Sequence, residues 1–516
     1  MRSISQKIFE NAMLNPDKQA IICGDNVLTY RQFSEKVSRI SRALKSRGIS
    51  RGDHIGIVLP NCIEFVICML VAADLGAVIV PVSSHLPAKA IHHILQASDV
   101  KHIITMGGTI KDFLSSGLDF TFISGVWLSV DIKVKAAISM RALIKEVPSD
   151  IKALNIGKED DPFILLTTSG STGDPKPIIL TQRTKWNRAF AAVELYKVTS
   201  EDRTLAATPL YHSLAERLVL IPLLTGGTSI IMPQFSALEW FRCVQKNKVT
   251  FTIAVSSQLR QISEQLSSSD AKNSKIKSMR CIVSSSELLE PKIKKELLKG
   301  LHCDFHECYG ASEIAIASDL DCEAAKRKVN SVGRAAPEVD IKIVDKNGND
   351  LTPGSPGEII CKTPMIFSGY YKRPNLTAAA MYGEYFRTGD LGKLDKEGFL
   401  YFLGREKDII ITGGINVYPS DIEYTLASQG SVQESAAFPY TDKRLGEVVA
   451  VAIVPKKPKE FDLRGIKRYC AENLADFQMP RKYFIVNKIP KNTMGKTMRR
   501  ILAKQFCDIM GNKKDG

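Results

Sequence analysis

The sequence predicts an α/β protein: a large N-terminal domain of helix-covered, mostly parallel sheets with a β-rich subdomain, then a small α+β C-terminal domain. Three observations carry this. Short apolar strands alternate with amphipathic helices through the first part of the chain, shorter strands and turns take over from Val339, and a second alternation begins after Gly404.

The elements follow in order. Thr29 precedes Phe33, Val37, Ile40 and Leu44 at helical spacing and Gly48 ends the run. The stretch from His54 to Leu59 then reads as a buried strand stopped by Pro60, followed by an apolar helix from Glu64 to Leu75 and a strand from Val78 to Val82. Such alternation indicates parallel strands with helices on their faces. It returns in the strands Thr228 to Met232, Phe251 to Val255 and Cys281 to Ser284. From Val339 the turn signals Asp345-Lys-Asn-Gly348 and Pro353-Gly354 mark the β-rich part. Beyond Gly404 come strands near Ala436 and from Val448 to Val454, a helix from Asp462 to Leu474, a strand from Tyr483 to Val486 and a lysine-rich loop. The domain boundary is expected at 405–408, between units 1–404 and 409–516.

With 516 residues, 44% of them hydrophobic, the chain is too long for one compact core. No apolar run approaches the roughly 20 residues a bilayer requires, and the first residues lack a signal-peptide pattern, so a cytoplasmic protein without a membrane span is expected. The 11 cysteines are scattered, which suits reduced thiols. The net charge of +15 is concentrated at one end: from Val451 to Gly516 there are 16 Lys and Arg against 6 Asp and Glu. Nucleic acid, anionic lipid, a polyphosphate ligand or a merely solvated surface would each suit that excess. No nucleic-acid partner is expected, because no helix-turn-helix, zinc-finger or RNA-binding aromatic pattern is present to place base contacts.

The strongest local signal is Thr167-Thr168-Ser169-Gly170-Ser171-Thr172-Gly173-Asp174-Pro175-Lys176, directly after an apolar strand. Its glycines let the backbone turn tightly and aim N–H groups at a phosphate, with hydroxyls and a lysine as further donors. It is not the NTPase P-loop, since its lysine follows proline and no Ser or Thr follows the lysine. His302, Cys303, His306 and Cys308 resemble metal ligands, but a strand would turn Cys303 away from the others, and delivery of Tyr309 by a buried strand is the simpler reading.

The phosphate loop resembles that of the adenylate-forming superfamily, which holds acyl-CoA synthetases, adenylation domains of nonribosomal peptide synthetases and luciferases. The other signatures of that superfamily occur in order: Pro209-Leu-Tyr-His212, Tyr309-Gly-Ala-Ser-Glu313, Gly357-Glu358 with Gly369-Tyr-Tyr371, Tyr385-Phe-Arg-Thr-Gly-Asp390, Gly404-Arg-Glu-Lys-Asp408, Gly413-Gly-Ile-Asn-Val-Tyr-Pro419 and Pro490-Lys-Asn-Thr-Met-Gly-Lys496. The resemblance implies that the C-terminal domain is a mobile lid. It also implies a nucleotide site formed by Thr168, Ser169, Gly170, Ser171, Thr172, Gly173, Lys176, Ser285, Tyr309, Gly310, Ser312, Asp390 and Arg405, with catalytic Lys496, Glu313 and His212, and with Thr172 and Glu313 toward Mg²⁺.

Each residue type suits its implied task. Asp390, expected just after a turn at Gly389, can accept from ribose hydroxyls, Tyr309 offers a ring for adenine, and Glu313 a hard oxygen for Mg²⁺. Lys496 supplies the ammonium needed when a carboxylate attacks a polyphosphate. Two departures stand out: Pro177 follows the loop lysine where glycine is usual, and Ser284-Ser-Ser286 replaces a Gly-rich turn beside the expected acyl pocket.

The implied reaction consumes ATP to adenylate a carboxylic acid and passes the acyl group to CoA. The alternative acceptor is the phosphopantetheine of a separate carrier protein, since no carrier domain follows Lys496. An inactive nucleotide sensor would be expected to lack Lys496 or Glu313. Lys407 matches the hinge position, Gly413 and Gly414 the pantetheine path, and Lys443 and Arg444 could meet CoA phosphates or an acidic carrier surface. Tyr211, His212 and Ser213 stand where peptide synthetases usually have an aspartate for the amino group, so an alkyl or aryl acid is expected instead of an α-amino acid. Glu216 points to a polar neighbour nearby.

Overall fold

The computed structural model describes residues 3–148, 152–168, 176–266, 276–412, 415–442, 446–492 and 495–511. Two large sheets dominate. A seven-stranded sheet contains His54–Val58 at its centre, paired in parallel with Val78–Pro81 and His102–Thr105, and ends in the antiparallel hairpin Pro162–Thr168 with Lys176–Thr181. A nine-stranded sheet runs parallel through Arg203–Ala206, Phe251–Val255, Cys281–Ser285 and Asp304–Tyr309, with antiparallel strands only toward its edges.

Sequence chemistry explains the elements. Helix Tyr30–Ser46 starts in a capping box, in which the Thr29 hydroxyl accepts from the Gln32 amide and the Gln32 side chain accepts from the Thr29 amide. Helices Ile63–Leu75 and Ser213–Thr225 carry no polar face because they are buried all round, and each stops at a left-handed glycine, Gly76 and Gly226. A fully buried ion pair joins two helices of this domain, Lys185 Nζ on Gln182–Leu195 to Glu216 Oε2 on Ser213–Thr225 at 2.7 Å.

The β-rich segment is a five-stranded antiparallel sheet. Its strand Tyr385–Leu394 is bulged, with the pairing register slipping between Glu358 and Ile360 on its neighbour. Gly389, expected to make a turn, instead makes this kink inside the strand at φ +65°, a conformation glycine adopts without Cβ strain.

The C-terminal part has a hairpin, Ile410–Thr412 with Ile415–Val417, and a three-stranded sheet of Val432–Asp442, Gly446–Pro455 and Lys482–Ile485. Two helices that the pattern reading missed, Pro419–Ala427 and Arg499–Gly511, pack on this sheet. The first begins at the motif residue Pro419 and the second three residues beyond Lys496. Among the described residues no helix is long and apolar enough to cross a membrane, and the cysteines whose side chains are described are free.

Candidate active site

The parallel strands of the nine-stranded sheet end side by side at Val255, Ser285 and Tyr309, and ligand clefts in open α/β sheets form beyond such ends. Ser285 and Tyr309 line a cavity of about 1210 Å³, shared with Thr167, Lys176, His212, Gly310, Ser312, Glu313, Asp390, Arg405, Lys407 and Lys496. Residues far apart in sequence and predicted to act together therefore face one space. It exceeds the roughly 300–1,000 Å³ of a single drug-sized ligand and can take two substrates at once.

The motif after Tyr309 is a tight loop. Ala317 N donates to Tyr309 O at 2.8 Å and Ala315 N to Ala311 O at 2.8 Å. A Cβ on Gly310 would lie 1.6 Å from Ala315 O, so only glycine fits. The Glu313 carbonyl is pinned by the Phe367 amide at 2.7 Å and by buried Arg188 Nη2 at 2.9 Å. Its carboxylate Oε1 accepts from Tyr370 Oη at 3.1 Å. Tyr370 belongs to the Gly-Tyr-Tyr signature, whose backbone zips onto the strand leaving the phosphate loop: Tyr371 N to Pro177 O is 2.8 Å and Ile179 N to Gly369 O is 2.9 Å. Pro177 costs this strand nothing there, because its carbonyl is what the pairing uses.

Asp390 is buried, 4% exposed. Its Oδ2 accepts from Tyr309 Oη at 2.8 Å. Its Oδ1 forms an ion pair with Arg405 Nε at 3.3 Å without hydrogen-bond geometry, so among the described residues neither atom has a hydrogen-bond partner. Burial raises the carboxyl pKa, against the pull of Arg405 and Lys496. A buried acceptor left open toward the cavity suits a ligand hydroxyl.

Lys496 stands just beyond a turn. Its amide donates to Asn492 Oδ1 at 2.9 Å, and its carbonyl accepts from the Asn492 amide at 2.9 Å. Gly495, at φ +80°, lies so close to Ser257 that a Cβ would come within 2.4 Å of its Oγ. Burial, then repulsion from Arg405, brings the Lys496 ammonium down to about 8, opposed by Asp390 and Glu287. Burial also takes His212 down to about 4, so its imidazole is neutral at neutral pH; its ring packs 4.5 Å from Tyr211. Lys407 sits in the 3-10 turn Glu406–Asp408.

Other expectations divide. Thr168 and Lys176 are paired across the base of the phosphate loop, while Ser169, Gly170, Ser171, Thr172 and Gly173 lie outside the described residues, as do Gly413, Gly414, Lys443 and Arg444. The polar neighbour of Glu216 is core Lys185, so this carboxylate does not face the cavity. Ser286 adopts φ +81°, the conformation a glycine would take more easily in that turn. His306 Nδ1 is 2.7 Å from Asp319 Oδ2 and Cys308 is buried; among the described residues no three His, Cys, Asp or Glu side chains could share a metal. Part of the C-terminal basic excess, Lys456, Lys491, Lys496 and Arg499, faces the cavity. Sequence reasoning missed Tyr370 as a partner of Glu313, although its motif was in view, and missed Arg188 and Arg217, which lie on helices outside the motifs.

The two sheets, the β-rich segment and the C-terminal unit, converging on one cavity, are those of an adenylate-forming protein. The AMP-binding enzyme pattern matches residues 8–371, and the AMP-binding enzyme C-terminal domain pattern matches residues 421–496. The chain is 30% identical over 517 residues to the long-chain-fatty-acid–CoA ligase FadD13 of Mycobacterium tuberculosis, covering 98% of this chain and 99% of that protein. It is 29% identical to the indoleacetate–CoA ligase of Aromatoleum aromaticum, covering 97% of this chain and 98% of that one. Among solved structures, ATP-bound MatB from Rhodopseudomonas palustris superposes with a TM-score of 0.89 at 25% identity, over 99% of this chain and 100% of that one. This chain belongs to the AMP-binding enzyme family.

Proposed function

We propose that this protein is an ATP-dependent acid–CoA ligase: it adenylates a carboxylic acid and transfers the acyl group to CoA, releasing AMP and pyrophosphate. The observation that carries the reading is Lys496 sharing a cavity with the open oxygen of Asp390 and with Glu313. Full-length likeness to proteins named as CoA ligases supports CoA over a carrier protein as acceptor.

In this reading Asp390 Oδ1 receives a ribose hydroxyl, while Tyr309, held by its bond to Oδ2, presents its ring to the adenine. Glu313 offers a carboxylate at the cavity wall and would hold Mg²⁺ together with Thr172; the ion would there neutralise phosphate charge. Lys496, as an ammonium, stabilises the charge that develops when the carboxylate approaches the α-phosphate. His212, neutral, shapes the acid's entry and adds no charge. No enzyme nucleophile is used.

The thiol must then reach the carbonyl that Lys496 guarded. The unit 409–516 therefore turns about Lys407, in the hinge 405–408, against 1–404, bringing Gly413, Gly414 and Arg444 toward the pantetheine arm. The acid is alkyl or aryl: no aspartate accompanies Tyr211, His212 and Ser213 to pair an α-ammonium.

The test is ATP–pyrophosphate exchange over a panel of acids, followed by thioester formation with CoA or a phosphopantetheinylated carrier protein. Acid-dependent exchange with thioester on CoA is expected. Exchange with transfer only to the carrier would overturn the acceptor assignment, and exchange only with amino acids the substrate class.

A further inference from the structure

Helix Ser213–Thr225 carries Glu216 and Arg217 side by side in an otherwise apolar run. Glu216 is taken by Lys185 in the core. Arg217 is 7% exposed and lines the cavity, yet among the described residues it makes no ion pair, and its Nε and Nη1 are buried without any hydrogen-bond partner. An arginine stays charged, and a buried charge without a counterion is strongly unfavourable.

Its surroundings deepen the imbalance. Lys185 and Arg188 both feel its repulsion, and Arg188 is pushed down to about 9 by burial and then by Arg217. The nearby Cys308 and Tyr196 are held neutral by burial. Arg188 spends its own donors on Met365 O, Ser213 Oγ and Glu313 O. Lys496 has different neighbours, Arg405, Asp390, Glu287 and Asp408. The groups around Arg217 and those around Lys496 are thus different sets, so a carboxylate reacting beside Lys496 leaves Arg217 for a second anion.

We propose that Arg217 binds a second carboxylate of the substrate, so that the acid activated by this protein is a dicarboxylate whose distal end pairs with this guanidinium. The inference rests on the ligase reading above. Lys185 holds Glu216 and Arg188 also feels Glu313, so a neutral oxygen would leave Arg217 without an ion-pair partner, whereas a distal carboxylate supplies that charge and accepts from a guanidinium in fixed geometry.

The test is kcat/KM for ATP–pyrophosphate exchange with length-matched pairs: succinate and butyrate, glutarate and valerate, adipate and hexanoate, terephthalate and 4-methylbenzoate. The wild-type protein is expected to prefer the dicarboxylate of at least one pair by a hundredfold or more. Arg217→Leu should abolish that preference, and Arg217→Lys, which keeps the charge, should retain part of it. A wild-type preference for the monocarboxylate in every pair would overturn the proposal while leaving the ligase reading intact, and it needs no folded variant. An equal loss on both members of a pair in Arg217→Leu would make Arg217 a structural residue and overturn the proposal as well. Exchange with no acid of any kind would instead overturn the ligase reading itself.

Discussion

Tyr370 Oη donates to Glu313 Oε1 at 3.1 Å, joining two signatures that lie 57 residues apart in the chain. The same Gly-Tyr-Tyr segment is zipped to the strand that leaves the phosphate loop, so one short stretch fixes both the loop's exit and the carboxylate proposed to face Mg²⁺. A hydrogen bond to a charged group contributes about 1.5–3 kcal/mol, or roughly 10- to 100-fold in rate if it acts in the transition state. Tyr370→Phe should therefore lower exchange by about tenfold or more and raise the Mg²⁺ concentration needed for half-maximal rate. An unchanged Mg²⁺ titration would show that Tyr370 only packs.

Lys496 gives the pH dependence its sign. Its ammonium, at about 8 in the free protein against the ordinary 10.5, is mostly charged at pH 7 and is lost as the pH rises through 8. Since the reading needs the charged form, kcat/KM for exchange should fall tenfold per pH unit above about 8. Lys496→Arg, whatever its residual rate, should show no such limb. His212, at about 4, should contribute no acidic limb between pH 5 and 7.

The chemistry of the motifs was legible in the sequence because each residue type is tied to a local backbone need. Gly310 has no room for a Cβ beside Ala315, and Thr29, read as a helix start, caps that helix. What was not legible depends on contacts between distant segments. That Glu216 turns to Lys185 while Arg217 turns to the cavity follows from helix rotation within a core apolar on all sides, where no amphipathic stripe marks the inward face. The bulge at Gly389 was hidden similarly, because a strand glycine and a turn glycine look alike until the partner strand's register is known.

The buried Lys185–Glu216 pair predicts a stability pattern. Removing one partner leaves a buried charge, so Lys185→Met alone should destabilise by about 3–5 kcal/mol. Lys185→Met with Glu216→Leu should recover much of that loss. Urea unfolding of the three proteins checks it; additive losses would mean the two residues do not interact as placed.

Gly310→Ala tests the tight loop. The added methyl must displace the Ala315 carbonyl, so ATP binding, followed by calorimetry, should weaken by at least tenfold even if the protein remains folded. Wild-type affinity would mean that the loop has room to relax.

Lys407→Pro separates the two half-reactions. The residue lies in a 3-10 turn, where proline's fixed φ is compatible with the backbone, so the variant should preserve exchange and depress thioester formation. Equal losses in both would argue against rotation at this position.

The most direct test of the account is acid-dependent ATP–pyrophosphate exchange in the wild-type protein and in Lys496→Ala, with ATP binding measured on both. The account predicts exchange that requires an added acid and falls by about a thousandfold or more in the variant, while ATP binding, which rests on Asp390, Tyr309 and the phosphate loop, is retained. Exchange in Lys496→Ala within about tenfold of wild type would contradict it.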